Sequence, residues 1–509
     1  MAQARQNIYI GAPGFKGLNT QDSLVNADPA FASVAENAII DKYGRIGARK
    51  GIDLVTSSAT PLGSSNGIES IGEFIALDGA KKIYSTGNNK IFSGTSTLTD
   101  ETPGSYTVSA NNWKMVNFND HMYFFQQSHE PLVYQDGGTL EKMSVHSGAS
   151  GTPPQANEAL AAFGRIWVSG FANDGNTLQF SDSLDGTDWN SGSSGTLNVR
   201  TVWPTGYDEI TALASYNNFL VIFGKRSILM YTGAGTPSSM TLADTIVNVG
   251  CIARDSVQHT GTDIIFLSDT GVRSLGRTIQ EKSVPMTDVS KNVRDTLLYD
   301  ISAEATLPIK SAYSPEESFY LLFLPTSKKV YCFDTRAALE DGSLRATVWP
   351  VTTTILSGLR ASDGTLYFGN VSGINKYNDY LDDTSTYRLK YYTNPMSFGD
   401  ATRLKILKEI SLTIVGGQNS TVSINWGYDH TESYNKQTFT LASSNIAEYG
   451  VSEYNVSSSE YNSSIIIDTA RIKPNKSGNI VTIGVEAVIN QGALSLQELN
   501  TQALIGRMI

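Results

Sequence analysis

Ile210-Thr-Ala-Leu-Ala-Ser-Tyr216, Asn217-Asn218, Phe219-Leu-Val-Ile-Phe223, Gly224-Lys225-Arg226-Ser227 and Ile228-Leu-Met-Tyr231 follow one another within the stretch from Tyr207 to Leu275. Two apolar runs of strand length flank a glycine-containing polar loop, the pattern of an antiparallel hairpin. Asn217-Asn218 tolerates left-handed backbone angles at little cost and can turn the chain into the first of these strands. The same figure returns at Gly261-Thr262-Asp263, with Ile264-Ile-Phe-Leu267, a turn over 268–271, and Val272-Arg-Ser-Leu275.

Outward from this stretch the figure recurs. Its turns fall at Asp78-Gly79, Asn119-Asp120, Gly164, Asn217, Thr262, Glu317 and Asp363-Gly364, so the steps between positions 78, 119, 164, 217, 262, 317 and 363 are 41, 45, 53, 45, 55 and 46 residues. Four short strands take roughly 40 to 50 residues in a propeller blade, and these steps match that length. Weaker strands at Ile68–Phe74, Trp113–Val116 and Ile355–Arg360 would complete the blades. The expected fold is therefore all-β: a β-propeller of six or seven blades over 61–395, an N-terminal arm with a short helix over 1–60, and a C-terminal β-sandwich-like domain over 396–509. Asp28-Pro29 supplies a helix cap and first-turn proline, predicting a helix to about Asn37. Met286–Leu298 spaces Val289, Val293 and Leu297 by four, with Thr287 as cap, and predicts an amphipathic helix. Thr335–Glu340 predicts another turn or two. After Asp400, strands are expected at Leu404–Val415, Thr421–Trp426, 465–467, Ala470–Lys473 and Ile480–Ile489. A Ser/Asn/Tyr-rich loop with Glu448-Tyr449, Glu453-Tyr454 and Glu460-Tyr461 lies between them.

Composition agrees with that class. Of 509 residues, 17% are charged and 45 are glycine, a low-charge, turn-rich balance that favours β structure over helical stacks. The net charge of −11 opposes tight wrapping of nucleic acid, which needs a basic face, but not a protein that DNA slides past. Cys251 and Cys332 are read as two buried free thiols, with a single bridge as the alternative. The opening residues lack the apolar core of a secretory leader, and no run approaches membrane-spanning length, so assembly in a cytoplasm is expected.

The most specific local motif is Ser183-Leu184-Asp185-Gly186-Thr187-Asp188-Trp189, which resembles an Asp-box. There Ser183 and Asp185 can bond the turn backbone at Gly186 while Trp189 packs beneath, a structural role. Asp188 departs from the usual threonine. Because sialidases and related propeller glycosidases carry such boxes, a glycosidase is weighed: it needs paired carboxylates or a tyrosine nucleophile beside an arginine cluster. Arg165, Arg200, Arg226, Arg254 and Arg273 are instead scattered over different blades. Gly63-Ser64-Ser65-Asn66-Gly67 has the letters of a nucleophile elbow in a polar loop, not on a strand-to-helix turn. Gly11, Gly14 and Gly17 lack the lysine and preceding strand of a phosphate cradle. His121, His129, His146, His259 and His430 show no metal-ligand spacing. No catalytic, cofactor or metal residue is expected, and Arg403, Lys405 and Lys408 read as a solvated sheet edge, with a contact to DNA or a neighbouring subunit as the sharper alternative.

Gly17-Leu-Asn-Thr, Pro29, Ala35, Asn37, Gly44, Arg45 and Arg49-Lys-Gly51 resemble the opening of short-tailed phage tail proteins. Ile210–Gly233, continuing through Gly250, Asp269-Thr-Gly271 and Leu275-Gly276, is similar to the tail nozzle or packaged-DNA stabilisation proteins of P22-like and T7-like phages. Phe180-Ser-Asp182 leading to Trp189 fits the same pattern, and the chain ends in Gly506-Arg507. The resemblance covers roughly residues 10–380. It implies a structural virion protein: six copies form a tubular nozzle below the adaptor of the head–tail connector, close the exit, retain packaged dsDNA and conduct it on ejection without sequence-specific binding. A tail fibre or tailspike would dock on the outer wall. No cofactor is implied, and the location is the virion tail, assembled in host cytoplasm. The gate loops would come from Ser93–Ser105, Asn190–Gly195 or Tyr449–Ser464. The competing readings are a receptor-binding or fibre-docking propeller module, and more remotely the glycosidase.

Overall fold

The computed structural model describes residues 5–23, 28–57, 62, 67–281, 288–304, 307–417, 420–431, 433–441, 446–447, 460–461 and 467–508. Among them, all seven expected turns join the first strand of a blade to its second. The innermost strands are Ile68–Ile75, Lys114–Phe118, Glu158–Ala162, Ile210–Tyr216, Gln258–His259, Lys310–Ser314 and Ile355–Arg360. Each hairpin turn carries a residue in the left-handed region, among them Asn119, Asp120, Asn217, Asn218 and Ser318. Asparagine and aspartate accept that conformation more cheaply than other residues with a Cβ, which is why they mark blade starts in this chain. The propeller therefore has seven blades, the upper of the two expected numbers.

Apolar side chains from neighbouring blades interlock and hold the ring. Phe74, Tyr84 and Ile91 of blade 1 meet Trp113, Met122 and Phe124 of blade 2. Tyr123, Phe125 and Val133 meet Ile166 and Val168 of blade 3, and Trp167 and Leu178 meet Leu213, Leu220 and Leu229 of blade 4. Val221, Phe223 and Met230 then pack on Ile264 and Phe266 of blade 5. Phe319, Phe323 and Trp349 of blade 6 pack on Phe368 and Tyr377 of blade 7. Burying such side chains contributes about 1.5–3 kcal/mol each relative to exposure.

Two features depart from a plain ring. Blade 5 has three strands, followed by a helix, Leu275–Glu281, absent from the sequence reading. Blade 7 takes its outer strand from the N-terminal region: Gly51–Leu54 pairs antiparallel with Ile374–Asn378. The ring is thus clasped by residues far apart in sequence.

The sandwich consists of two sheets over one core. In the first, Arg403–Gly416 lies between Ile467–Ile472 and Leu494–Met508, and Arg5–Gly11 pairs along 498–504 of the last. In the second, Phe31–Glu36, Tyr387–Thr393, Val481–Ile489, Thr421–Tyr428 and Asn435–Thr440 run side by side; a single bridge, Val348 to Glu36, continues it from the outer strand of blade 6. A register shift between Leu407 and Glu409 moves the inward set from Lys405 and Leu407 to Ile410, Leu412 and Ile414, as a bulge does.

Several expectations are corrected. Residues Phe31–Glu36 form a strand, not a helix. Asp28 caps only a turn, accepting the Ala30 N–H at 2.9 Å, because pairing with Tyr391 and Tyr392 overrides the helix-start signal. The helix expected at Met286–Leu298 is a 3-10 turn, Lys291–Val293, followed by Arg294–Ser302; Val289, Val293 and Leu297 are buried as the spacing predicted, and Thr287 lies outside the described residues. Thr335–Glu340 is irregular, tied by Asp334, which accepts the Arg336 N–H at 3.2 Å. The segment 1–60 is no separate arm: 5–48 builds sandwich strands and 51–54 belongs to blade 7. Likewise Tyr387–Thr393, assigned by sequence to the propeller, pairs within the sandwich.

Candidate functional site

Polar side chains at or near the starts of the inner strands converge on the propeller axis. Arg254, in the link between blades 4 and 5, reaches across it. Its guanidinium donates to Asp255 Oδ1 and Oδ2 at 3.1 and 2.7 Å, to Asn157 Oδ1 of blade 3 at 2.9 Å and to Asn112 Oδ1 of blade 2 at 2.7 Å. Lys310 of blade 6 donates to Asn112 Oδ1 at 2.5 Å and pairs with Asp255 at 3.1 Å. Lys114 of blade 2 pairs with Glu158 of blade 3 at 3.2 Å, and Ser311 Oγ donates to the Asp255 carbonyl at 2.7 Å. Blades 2, 3 and 6 and the link between blades 4 and 5 are tied through one buried network.

Burial alone would raise the Asp255 carboxyl; Arg254, Lys310 and Lys114 outweigh it and hold it well below the usual range. Burial pushes the Lys310 ammonium down to about 8 against the pull of Asp255. Burial likewise raises Glu158, with Lys114 and Arg254 offsetting part of the effect. The space left is a cavity of about 160 Å³, lined by Ser70, Lys114, Gln258, Lys310 and Ser357 among others. Such an axis can bind blades together. It has no room for a polymer to pass.

The Asp-box-like turn sits elsewhere, between the third and fourth strands of blade 3. Asp185 accepts the Thr187 N–H and hydroxyl at 2.8 and 2.7 Å, and the Trp189 indole donates to the Gly186 carbonyl at 3.1 Å. Trp189 packs edge-on to Phe125 of blade 2, ring centroids 6.4 Å apart. A Cβ on Gly186 would meet Tyr123 Cζ at 2.5 Å, so the turn seats against that blade. Ser183 is exposed; the hydroxyl that ties this corner is Ser181, accepting the Ile166 N–H at 3.1 Å.

A second junction was missed in the sequence except as part of the resemblance. Arg49, fully buried, donates to Asp382 Oδ1 and Oδ2 at 2.8 and 2.6 Å and to Asn37 Oδ1 at 2.9 Å, and lies 4.3 Å over the Tyr387 ring. It therefore joins the N-terminal segment, the exit of blade 7 and the sandwich. A Cβ on Gly51 would meet the Leu381 carbonyl oxygen at 1.8 Å. Beside this junction a cavity of about 680 Å³ is lined by Asp53, Asp379 and Asp383; burial and these neighbouring carboxylates raise Asp53 to about 6.

Of the five scattered arginines, Arg254 reaches the axis, Arg165 is tied to Ser181 and Ser193 beside the Asp-box-like turn, and Arg200 and Arg226 are exposed on blade 4 or its approach. Arg273 bonds Thr270. The arrangement brings no arginine cluster together. Cys251 and Cys332 are buried and unbridged. His129 packs on Trp113 and His146 bonds Glu141; among the described residues no His, Cys, Asp or Glu group has metal-binding geometry. Lys405 is buried, its ammonium bonded to the Asp400 carbonyl, whereas the sequence placed it on a solvated edge; the bulge beyond Leu407 keeps it on the inward face. The Gly63–Gly67 letters, except Gly67, and nearly all of Tyr449–Ser464 lie outside the described residues.

No family model and no curated protein matches this chain. Among solved structures, it resembles the extracellular domain of a one-component system from B. thetaiotaomicron (12% identity, TM-score 0.40), covering 66% of this chain and 41% of that one. It also resembles the Neurospora crassa Pan2 WD40 domain (11%, 0.36; 67% and 98%) and the Toxoplasma gondii coronin WD40 domain (9%, 0.35; 68% and 86%). The chain thus spans under half of the first of these. At such identities the likeness concerns fold alone.

Proposed function

We propose that this chain is the tail nozzle subunit of a short-tailed bacteriophage. Copies form a ring, six by the resemblance, below the portal adaptor; the ring closes the exit, retains packaged dsDNA and conducts it during ejection. The observation that carries this reading is where the resembling residues fall. Gly17, Asn37, Arg49 and Gly51 lie where the N-terminal strands of the sandwich meet blades 6 and 7: Asn37 bonds Arg49, and a Cβ on Gly17 would meet the carbonyl oxygen of Ala346, in the outer strand of blade 6, at 2.7 Å. Likeness at such positions is likeness in how the two units are joined.

The filled axis supports the same reading from physics. DNA passes between copies, in a lumen the ring encloses, rather than through a propeller. A net charge of −11 weakens phosphate binding and counterion release, so the duplex slides instead of sticking. Loops at one rim of the ring meet below the DNA end, and a fibre or tailspike docks on the outer wall. The test is DNA retention: capsids filled in the absence of this protein lose their DNA to nuclease, and adding the purified chain restores protection. Restored protection without any chain bound to the particle, or bound chain without protection, refutes the reading.

A further inference from the structure

Lys310 and Asn112 meet across the propeller axis although 198 residues separate them. Lys310 opens the innermost strand of blade 6, and Asn112 stands just before that of blade 2. The Lys310 ammonium donates to Asn112 Oδ1 at 2.5 Å, and Arg254 Nη2 donates to the same oxygen at 2.7 Å. Asp255 pairs with Lys310 Nζ at 3.1 Å and accepts from Arg254 at 2.7 Å. Ile71, Trp113, Met115 and Val257 supply apolar walls beside these groups. Among the described residues two lysines are buried, and the other, Lys405, is bonded to a backbone carbonyl, that of Asp400. Lys310 faces a side-chain carboxamide instead.

Each of the four side chains has a chemical use beyond charge balance. A carboxamide carbon is a weak electrophile in water and a better one where its oxygen is held by a fixed cation, as Arg254 holds Asn112 Oδ1. A lysine amine is a nucleophile once it has shed its proton, and burial pushes the Lys310 ammonium down to about 8. Against burial, which would raise it, Arg254, Lys310 and Lys114 keep the Asp255 carboxyl ionised, so it can take that proton. Contact between nucleophile and electrophile replaces a bimolecular encounter with a local one. Rotation of the Asn112 carboxamide about its Cβ–Cγ bond turns the face of Cγ toward Nζ.

We propose that Lys310 Nζ and Asn112 Cγ join in an intramolecular isopeptide bond, a covalent tie between blades 6 and 2 across the axis. Nζ gives one proton to Asp255, and its lone pair forms the Nζ–Cγ bond while the carbonyl pair moves onto Oδ1 beside Arg254. Asp255 returns the proton to Nδ2, the Cγ–Nδ2 bond breaks, and ammonia leaves, carrying off as ammonium the second proton that Nζ sheds. One amine and one amide become one amide and ammonia, with no oxidant or other reactant. Only chains whose Lys310 is neutral react, so the bond lags folding and the freshly folded chain carries the free ammonium. The bond is independent of the nozzle reading, since it forms within the isolated chain.

The test is the intact mass of the full chain, fresh and after incubation near the Lys310 titration at about pH 8, with proteolysis and tandem mass spectrometry locating any cross-link. Wild type loses one ammonia in a fraction that grows with time and yields a branched peptide joining Lys310 to Asn112. The reacted fraction also migrates faster on a denaturing gel, because the bond closes a loop of 198 residues. Lys310→Arg and Asn112→Ala yield no branched peptide, and Asp255→Ala, shown to be folded by circular dichroism, forms the bond at least tenfold more slowly. An unchanged wild-type mass overturns the proposal whether or not any variant folds. So does ammonia loss that mild base reverses without a branched peptide, the mark of a succinimide at an asparagine. A folded Asp255→Ala chain that reacts as fast as wild type overturns it too.

Discussion

Replacing Arg254 by methionine is the sharpest perturbation of the axis. Arg254 is buried and its guanidinium bonds Asp255, Asn157 and Asn112. Methionine keeps much of the volume and removes the charge. Asp255 then retains Lys310 at 3.1 Å and Lys114 at 3.7 Å, while Glu158 keeps only Lys114 at 3.2 Å. Breaking a buried ion pair by deleting one partner costs about 3–5 kcal/mol, since the remaining charge stays desolvated. With about 2 cal/mol/K of unfolding entropy per residue over a propeller of roughly 330 residues, a loss of about 4 kcal/mol lowers Tm by about 6 °C. Differential scanning calorimetry reads this directly. The double variant Arg254→Met/Asp255→Asn should lose less than the sum of the single losses, because it removes both charges together. A Tm within about 1 °C of wild type for Arg254→Met, or strict additivity in the cycle, refutes the view that this network ties the blades.

Other expectations follow from the same groups. Lys310 titrates near 8 when folded and near its ordinary 10.5 when unfolded, so the unfolded chain binds more protons in between; wild type should gain stability from about pH 8 to 10.5, and Lys310→Met should flatten that rise in urea unfolding. Asp53 is raised to about 6, so its contribution is lost as pH rises from about 4 to 6; Asp53→Asn should raise Tm at pH 7 and change it little at pH 4. Gly51→Ala sets a methyl 1.8 Å from the Leu381 carbonyl oxygen, and hydrogen exchange should show the Gly51–Leu54 strand opening while blades 2–4 stay protected. Burial pushes the Cys251 thiol to about 11 and Cys332 higher still, so neither should react with a thiol reagent at pH 8 until the chain is unfolded.

The blades were legible because their turns announce themselves. Left-handed positions at Asn119, Asn217 and Gly364 sit between apolar runs whose length and spacing leave little choice. Phe31–Glu36 was misread because Asp28-Pro29 is a genuine local helix signal, and the strands that override it lie some 355 residues on, at Tyr391 and Tyr392. The seam was visible only through the resembling letters Gly17, Asn37 and Arg49-Lys-Gly51; nothing local says that Arg49 will meet Asp382. The axial network was invisible for a related reason. Asn112, Glu158, Asp255 and Lys310 are separated in turn by 46, 97 and 55 residues, and each looks like an ordinary polar residue at or near a strand entrance. A signal was nevertheless present: charged residues recur at the starts of inner strands otherwise made of small and apolar residues. In the Asp-box-like turn Asp185 bonds Thr187 and the Trp189 indole bonds Gly186, while the hydroxyl that accepts the Ile166 N–H belongs to Ser181, not to Ser183.

The most direct measurement is cryo-electron microscopy of adaptor-bearing capsids with this chain added, reconstructed without imposed symmetry. A closed ring of six copies below the adaptor, with density for DNA ending inside the ring lumen and none along a propeller axis, is the expected result. Particles that carry no ring, a threefold arrangement at the tail periphery, or DNA density threading a propeller would contradict it.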